Sequence, residues 1–423
     1  MSEILYLAHR IPYPPNKGDK IRSWHLLEGL AQHFRVHLGT FVDDPDDCQH
    51  LPTLREVCGE VCVRPLSPRA ARLRSLAGLA AGRALTLDYY RDAQLHAWVR
   101  RLAAERPLAG VFVFSSSMAP YGEALPLLTG GRRIVDICDV DSDKWRQYAV
   151  SHRWPLSCLY SREARLLERA ETRWADAFDT VVVVAEAEAR LVRRQAPVAA
   201  HKVRVLPNGV DTAYFDPDLP FAVPLAGLGP AIVFTGAMDY HPNVDGVCWF
   251  AEEILPTVRA AVPGAHFCIV GSNPTEKVRA LARRAGVTVT GRVPDVRPYL
   301  AGAAAVVAPL RIARGVQNKV LEAMAMARPI VATPNAVQGI EGVTGRELTV
   351  AETAGEFAAA VGRALVDTGV ARVPAAREFV AGRCAWRAQV ETLAQWLDPG
   401  PRLREDVTRG AARITSPLTE ARS

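Results

Sequence analysis

The chain has 423 residues, a formal net charge of +6, 49% apolar residues and a mean hydropathy of +0.02. It is too long for one compact core and suits two domains of about 200 residues each, and its composition excludes a disordered or fibrous protein. No apolar run approaches the ~20 residues that span a bilayer. The opening Met-Ser-Glu-Ile-Leu-Tyr-Leu-Ala-His lacks a basic n-region and reads as a first strand, so the expected location is cytoplasmic.

Short β-rich runs alternate with helical segments, the pattern of parallel α/β sheets. In the first half the spacing predicts strands over Ile4–Ala8, Val36–Phe41, Val61–Pro65, Val111–Phe114, Ile134–Cys138, Val181–Val184 and Val203–Leu206. In the second half it predicts Ile232–Thr235, His266–Val270, Val287–Thr290, Ala305–Ala308, Ile330–Thr333 and Glu347–Val350. The Pro- and Gly-rich stretch 215–230 reads as a linker between a first domain, 1–214, and a second, 231–385. A last helix is expected over 386–398, and the charged residues 399–423 read as a disordered tail. Two Rossmann-like parallel sheets bind ligands at their strand C-termini, so facing domains would share one cleft.

In chain order, the first loop, Pro12 to Arg22, leads into a helix expected over Ser23–Phe34. Gly18 allows close backbone approach, and Lys20 and Arg22 could meet phosphate or an anionic acceptor. The alternative is an ordinary Pro/Gly loop before a helix. Between residues 69 and 106, eight arginines face Asp88, Asp92 and Glu105, a balance of +5. Leu73, Leu76, Ala77, Ala80 and Ala84 repeat at helical spacing beside Arg72, Arg74 and Arg83. This segment reads either as a helix for an anionic membrane surface or as a domain helix with a solvated basic face. It lacks interleaved aromatics, which argues against nucleic acid.

After the fifth strand comes Asp136-Ile-Cys-Asp-Val-Asp-Ser-Asp-Lys144, with Asp139 and Asp141 expected at the sheet edge. They are suited to orienting an acceptor hydroxyl or taking its proton. A metal site is the weaker reading, and helix capping by Asp141 or Ser142 is the plain one. The eight cysteines are scattered; Cys58 and Cys62 have the spacing of one helix face, but no second pair follows at zinc spacing, so free thiols are expected. Val205-Leu-Pro-Asn-Gly-Val-Asp211 contains a tight Asn208-Gly209 turn. Beyond the linker, Gly236 ends a strand, and His241 either binds phosphate or holds its loop. Gly271 ends the next strand, and Arg292 and Val293 follow the one after.

From Arg314 to Thr333 the chain reads as loop, helix, strand. Lys319 and Glu322 lie three apart on the helix's first turns and face the same way. The amides near Val316, Gln317 and Asn318 offer an anion site at the positive pole of the helix. A carboxylate for two vicinal hydroxyls, a lysine and several N–H donors suit a nucleotide diphosphate.

This last stretch resembles the signature of retaining family 4 glycosyltransferases of the GT-B fold. The run Val205–Phe215 resembles that family's strand-turn motif, the Gly18-Asp19 loop its Gly-Gly loop, and Thr290–Asp295 its base-reading loop. The resemblance implies an α/β, GT-B protein in which Glu322 holds the ribose of a nucleotide sugar and Gly271 faces the nucleotide. It implies that the backbone near Gly291, Arg292 and Val293 reads the base, and that the last helix crosses back to the first domain. The family's sugar-facing glutamate stands eight positions before Glu322, where this chain has Arg314. An arginine and a lysine usual in the loop after Gly236 are also missing, which leaves Lys319 as the main compensating charge. No metal cofactor is implied. The Asp-Val-Asp-Ser-Asp-Lys-Trp, Met-Asp-Tyr-His-Pro-Asn and Gly-Val-Gln-Asn-Lys runs resemble the sugar transferases of exosortase/PEP-CTERM exopolysaccharide clusters. The implied partners are a nucleotide-sugar donor and a lipid-linked or polysaccharide acceptor at the inner face of the inner membrane.

Overall fold

The structure, a computed structural model, describes residues 1–398 apart from Asn16, Val223, Ala226, Arg314, Gly315, Glu341 and residues 367–371. The chain divides into two compact units, one of Met1–Leu206 joined by residues from Gln389 onward, the other Pro207–Ala388. The residues read as linker, and the Asn208-Gly209 turn before them, belong to the second unit.

The first unit holds a seven-stranded sheet: β1 (Glu3–Ala8), β2 (Arg35–Val42), β3 (Val61–Pro65), β4 (Leu108–Phe114), β5 (Arg132–Cys138), β6 (Thr180–Val183) and β7 (Val203–Val205). Their order is β3-β2-β1-β4-β5-β6-β7, with every pairing parallel. All seven β4 residues are buried, as expected of a strand covered by helices on both faces. The second unit holds β8 (Ala231–Thr235), β9 (His266–Val270), β10 (Val287–Gly291), β11 (Ala305–Ala308), β12 (Ile330–Ala332) and β13 (Thr349–Val350). They are ordered β10-β9-β8-β11-β12-β13, again all parallel. All thirteen strands expected from sequence are present, with ends shifted by up to three residues.

Each order reverses direction once, between β1 and β4 and between β8 and β11. Neighbouring loops there leave in opposite directions and open a crevice at the strand C-termini. These two switch points are where each unit can take a ligand.

The first helix begins at Gly18, not Ser23, and ends at Leu30. Lys20 and Arg22 therefore stand in its first turns rather than in a loop. The Cys58–Cys62 pair is likewise not on one helix: Cys58 follows the helix Leu51–Val57 and Cys62 lies in β3. All eight cysteines are free.

The division into units falls within the last helix, Trp386–Leu397, after Ala388. At its start Trp386 fills the space a side chain at Gly209 would need, with backbone atoms 2.8 Å from that Cβ position. Further along, Val390 packs on Gly29 and Leu397 on Gly110. Among the described residues, no helix is long and apolar enough to cross a membrane.

Candidate functional site

In the second unit the switch point is built on glycine. A Cβ on Gly271 would stand 1.6 Å from the Gly236 carbonyl oxygen, so only glycine lets the ends of β8 and β9 approach this closely. Gly236 takes a φ of 155° and its amide donates to Val270 O at 3.0 Å; the Gly271 amide donates to Gly291 O at 3.2 Å. The result is a close-packed row of backbone across three strand ends.

The helix Asn318–Ala325 brings Lys319 of its first turn to this row. The Lys319 ammonium donates to Asn243 Oδ1 at 2.5 Å and lies 4.5 Å from the centre of the Phe234 ring. A Cβ on Gly236 would come within 3.2 Å of it. Asn243 is itself fixed, its amide nitrogen donating to Ala237 O at 2.8 Å. Lys319 and Glu322 are both partly buried. Burial lowers the Lys319 pKa to about 7, against the opposing pull of Glu322. Burial likewise raises Glu322 to about 7, with Lys319 opposing. Both groups thus change charge near neutrality, and an arriving anion would fix Lys319 in its charged form.

At the front of that helix, the Asn208 side-chain amide donates to Asn318 Oδ1 at 3.2 Å. At its rear, Arg377 donates to both Ala325 O and Phe215 O, at 2.7 and 2.9 Å. The loop 208–215 is therefore laid along the helix that carries Glu322. Within it, Tyr214 has the Arg297 guanidinium over its ring at 3.7 Å, and Asp295 pairs with Arg297 at 2.7 Å. Arg292 is exposed and Val293 packs against the core. His241 opens the next helix and is exposed; Asn243, two residues on, is the loop's contact to Lys319. Val316 and Gln317 precede the helix and are partly buried. Arg314 lies outside the described residues.

In the first unit, His9 and Arg10 follow β1, and Ser115, Ser116 and Ser117 follow β4. Ser115 takes a φ of 81° and Cys138, at the end of β5, a φ of 61°. Such strained non-glycine backbone gathers at functional edges. Ser116 donates its hydroxyl to Asp141 at 2.5 Å. Burial raises the Asp141 pKa, and that hydrogen bond partly offsets the rise. Asp139 is exposed at the same edge. Arg10 bridges Asp19 and Asp43 at 2.8 and 2.9 Å, and the His9 ring stands 3.5 Å from Asp19.

Lys20 and Arg22, read as ligand groups, have their charges taken up inside the unit. Lys20 pairs with Asp47 at 2.6 Å, and Arg22 pairs with fully buried Asp136 at 2.7 Å and donates to Leu206 O. The partners lie 27 and 114 positions away in sequence, where no local pattern could reveal them. Gly18 sits beside them with open space where a side chain would project. Sequence reading names Asn243, with His241, only as a polar substitute in the loop after Gly236, and passes over Tyr214, Arg297, His9 and Ser116. For His9 and Ser116 a signal existed: each stands just after a strand that ends at the switch point. Among the described residues, no group of three or more His, Cys, Asp or Glu side chains is placed to hold a metal ion.

Two family models match the chain. Residues 229–367 match "Glycosyl transferases group 1", and residues 141–214 match "Glycosyltransferase Family 4". No curated protein matches significantly by sequence. Among solved structures, sucrose-phosphate synthase from Thermosynechococcus elongatus is similar at a TM-score of 0.64 and 17% identity, covering 97% of this chain and 100% of that one. HepE from Anabaena, solved in complex with UDP, gives 0.63 and 15% over 93% of this chain and 99% of that chain. WaaG, a glycosyltransferase involved in lipopolysaccharide biosynthesis, gives 0.62 and 15% over 94% and 100%. The fold is GT-B, and both matched segments are similar to glycosyltransferase families.

Proposed function

We propose that this chain, a glycosyltransferase of the GT-B fold, is a retaining enzyme that moves a sugar from a nucleotide-diphosphate donor to a lipid-linked or saccharide acceptor. The observation that carries this reading is the Lys319–Asn243–Glu322 group at the N-terminus of Asn318–Ala325, set against the glycine row of β8 and β9. Glu322 binds the ribose hydroxyls, and Lys319 with the helix amides holds the diphosphate. Charge builds on that diphosphate as the glycosidic bond breaks, so fixed donors there act where stabilisation accelerates the reaction most. Neighbours solved with UDP and with UDP-glucose make a uridine donor the first to try.

The reading assigns no carboxylate as the covalent nucleophile of a paired, double-displacement mechanism. The sugar is instead attacked on the face the diphosphate leaves, with the leaving phosphate oxygen accepting the acceptor's proton. Asp139 and Asp141 orient the acceptor hydroxyl in the first unit, and no metal is invoked. The family resemblance extends the reading to exopolysaccharide synthesis of the exosortase/PEP-CTERM type, at the cytoplasmic face of the inner membrane.

Two rivals share the frame: a silent homologue that only binds, and a nucleotide-sugar epimerase. Incubation of the protein with a nucleotide sugar and a saccharide or polyprenyl-phosphate-linked acceptor separates them. A glycosylated product whose anomeric proton coupling matches the donor's supports retaining transfer. An inverted product would overturn the mechanism, a changed free sugar would indicate epimerisation, and donor binding without turnover would indicate the silent homologue.

A further inference from the structure

The helix Pro68–Ala80 in the first unit is mounted the opposite way from an ordinary domain helix. Its buried residues are the small ones, Ala71, Ser75 and Gly78. Leu73 and Leu76 are 69% and 59% exposed, and Ala77 and Ala80 are exposed with them. Ala84, which completed the apolar repeat in the sequence, lies past the helix end and is buried. The orientation is locked. A Cβ on Gly78 would meet Asp88 Oδ2 at 1.6 Å, and Ser75 donates its hydroxyl to Ala71 O and Leu85 O at 3.0 and 2.9 Å. Arg74 and Arg162 bind the backbone at Tyr89 and Leu79. The helix therefore cannot roll its leucines inward, and they stay in water, unfavourably relative to burial.

Charge on this face is of one sign. From Pro68 to Arg91 there are five arginines and a single acid, Asp88, which is buried and paired with Arg83. Arg69 and Arg72 are exposed beside the leucines. A second group of exposed apolar residues stands where the helix Asp141–Ser151 gives way to the helix Leu156–Ala177: Val150 at 86%, Trp154 at 79% and Leu156 at 44%. Arg162 of that helix joins the two regions by donating to Leu79 O and Arg83 O. By contrast the helix Ala93–Glu105, also within the basic stretch, buries Leu95, Val99 and Leu102 in the usual way.

We propose that the outward face of Pro68–Ala80, with Leu73 and Leu76 flanked by Arg69 and Arg72, docks on an anionic lipid bilayer, with Trp154 as a second insertion point. Apolar side chains enter the headgroup boundary while arginines meet lipid phosphates, the arrangement of an interfacial helix. The surface is independent of the donor site. It narrows the acceptor reading to membrane-held substrates, and its test does not use donor turnover.

The test is flotation of the full chain with phosphatidylcholine vesicles and with equal-part phosphatidylcholine–phosphatidylglycerol vesicles, at low and high salt. Wild type is expected on the anionic vesicles and not on the neutral ones. Leu73→Asp/Leu76→Asp and Arg69→Glu/Arg72→Glu should each weaken binding at least about tenfold, with unchanged thermal melting and unchanged donor binding. Leu73→Ser/Leu76→Ser provides a milder second variant. No flotation of wild type, or equal flotation of all variants, would overturn the proposal. So would a concentration-dependent dimer lost in Leu73→Asp/Leu76→Asp, because the face would then be covered by a second copy.

Discussion

Lys319→Met removes the ammonium, which lies over Phe234, while keeping most of the length of the stem. Asn243 keeps its own anchor on Ala237 O, so the loop should hold its shape. The loss on the reaction follows from where the charge sits. A fixed donor facing charge that develops in the transition state is worth about 10²–10³ in kcat, and a charged hydrogen bond in binding contributes about 1.5–3 kcal/mol. With a pKa of about 7 in the empty site, about half of the lysines are charged at pH 7. That discount on wild-type affinity is only about twofold, since the diphosphate pulls the proton on. Initial rates of nucleoside diphosphate release across donor concentrations should show kcat falling about 10²–10³-fold, with a smaller rise in KM. Stability should not fall, because the folded state disfavours the charged lysine. A kcat within about threefold of wild type would refute the assignment of Lys319 to the leaving group.

Four further outcomes are expected. The Lys319 pKa is lowered in the folded state, so its penalty on stability is full below about pH 7 and lifts as pH rises toward 10.5. Glu322 is raised, so its penalty grows between pH 4.5 and about 7. Urea titrations of wild type, Lys319→Met and Glu322→Gln should show each variant flattening its own limb. Calorimetry of donor binding at pH 7, in buffers of differing ionisation enthalpy, should register uptake of up to about half a proton, abolished in Lys319→Arg. Gly271→Ala should cost about 3 kcal/mol in urea unfolding, the upper end for overpacking, because its Cβ would strike the Gly236 backbone. Arg22→Met should cost about 3–5 kcal/mol by leaving Asp136 buried and unpaired; unchanged stability with lost activity would instead place Arg22 at a ligand.

The strands were legible because a parallel sheet covered on both faces writes itself as short apolar runs, such as Ala231–Thr235 and His266–Val270. The Lys319–Glu322 pair was legible because i, i+3 spacing on one helix is a local property. Residues whose meaning depends on distant partners were not. Asn243 is 76 positions from Lys319, and Tyr214 acquires its setting only through Arg297. The Pro12–Asp19 stretch disguised a helix start as loop, since proline and glycine punctuate both. In Pro68–Ala80 the periodicity was visible but its direction was not. Only Asp88 and Leu85 show which face turns inward.

The central claim is that the second unit binds a nucleotide-diphosphate sugar through Lys319 and Glu322. Thermal shift with UDP-, GDP-, ADP- and CDP-sugars, with and without EDTA, on wild type, Glu322→Ala and Lys319→Met tests it most directly. The account predicts a shift for one donor class that survives EDTA, disappears in Glu322→Ala and is reduced in Lys319→Met. An undiminished shift in Glu322→Ala and Lys319→Met would contradict it.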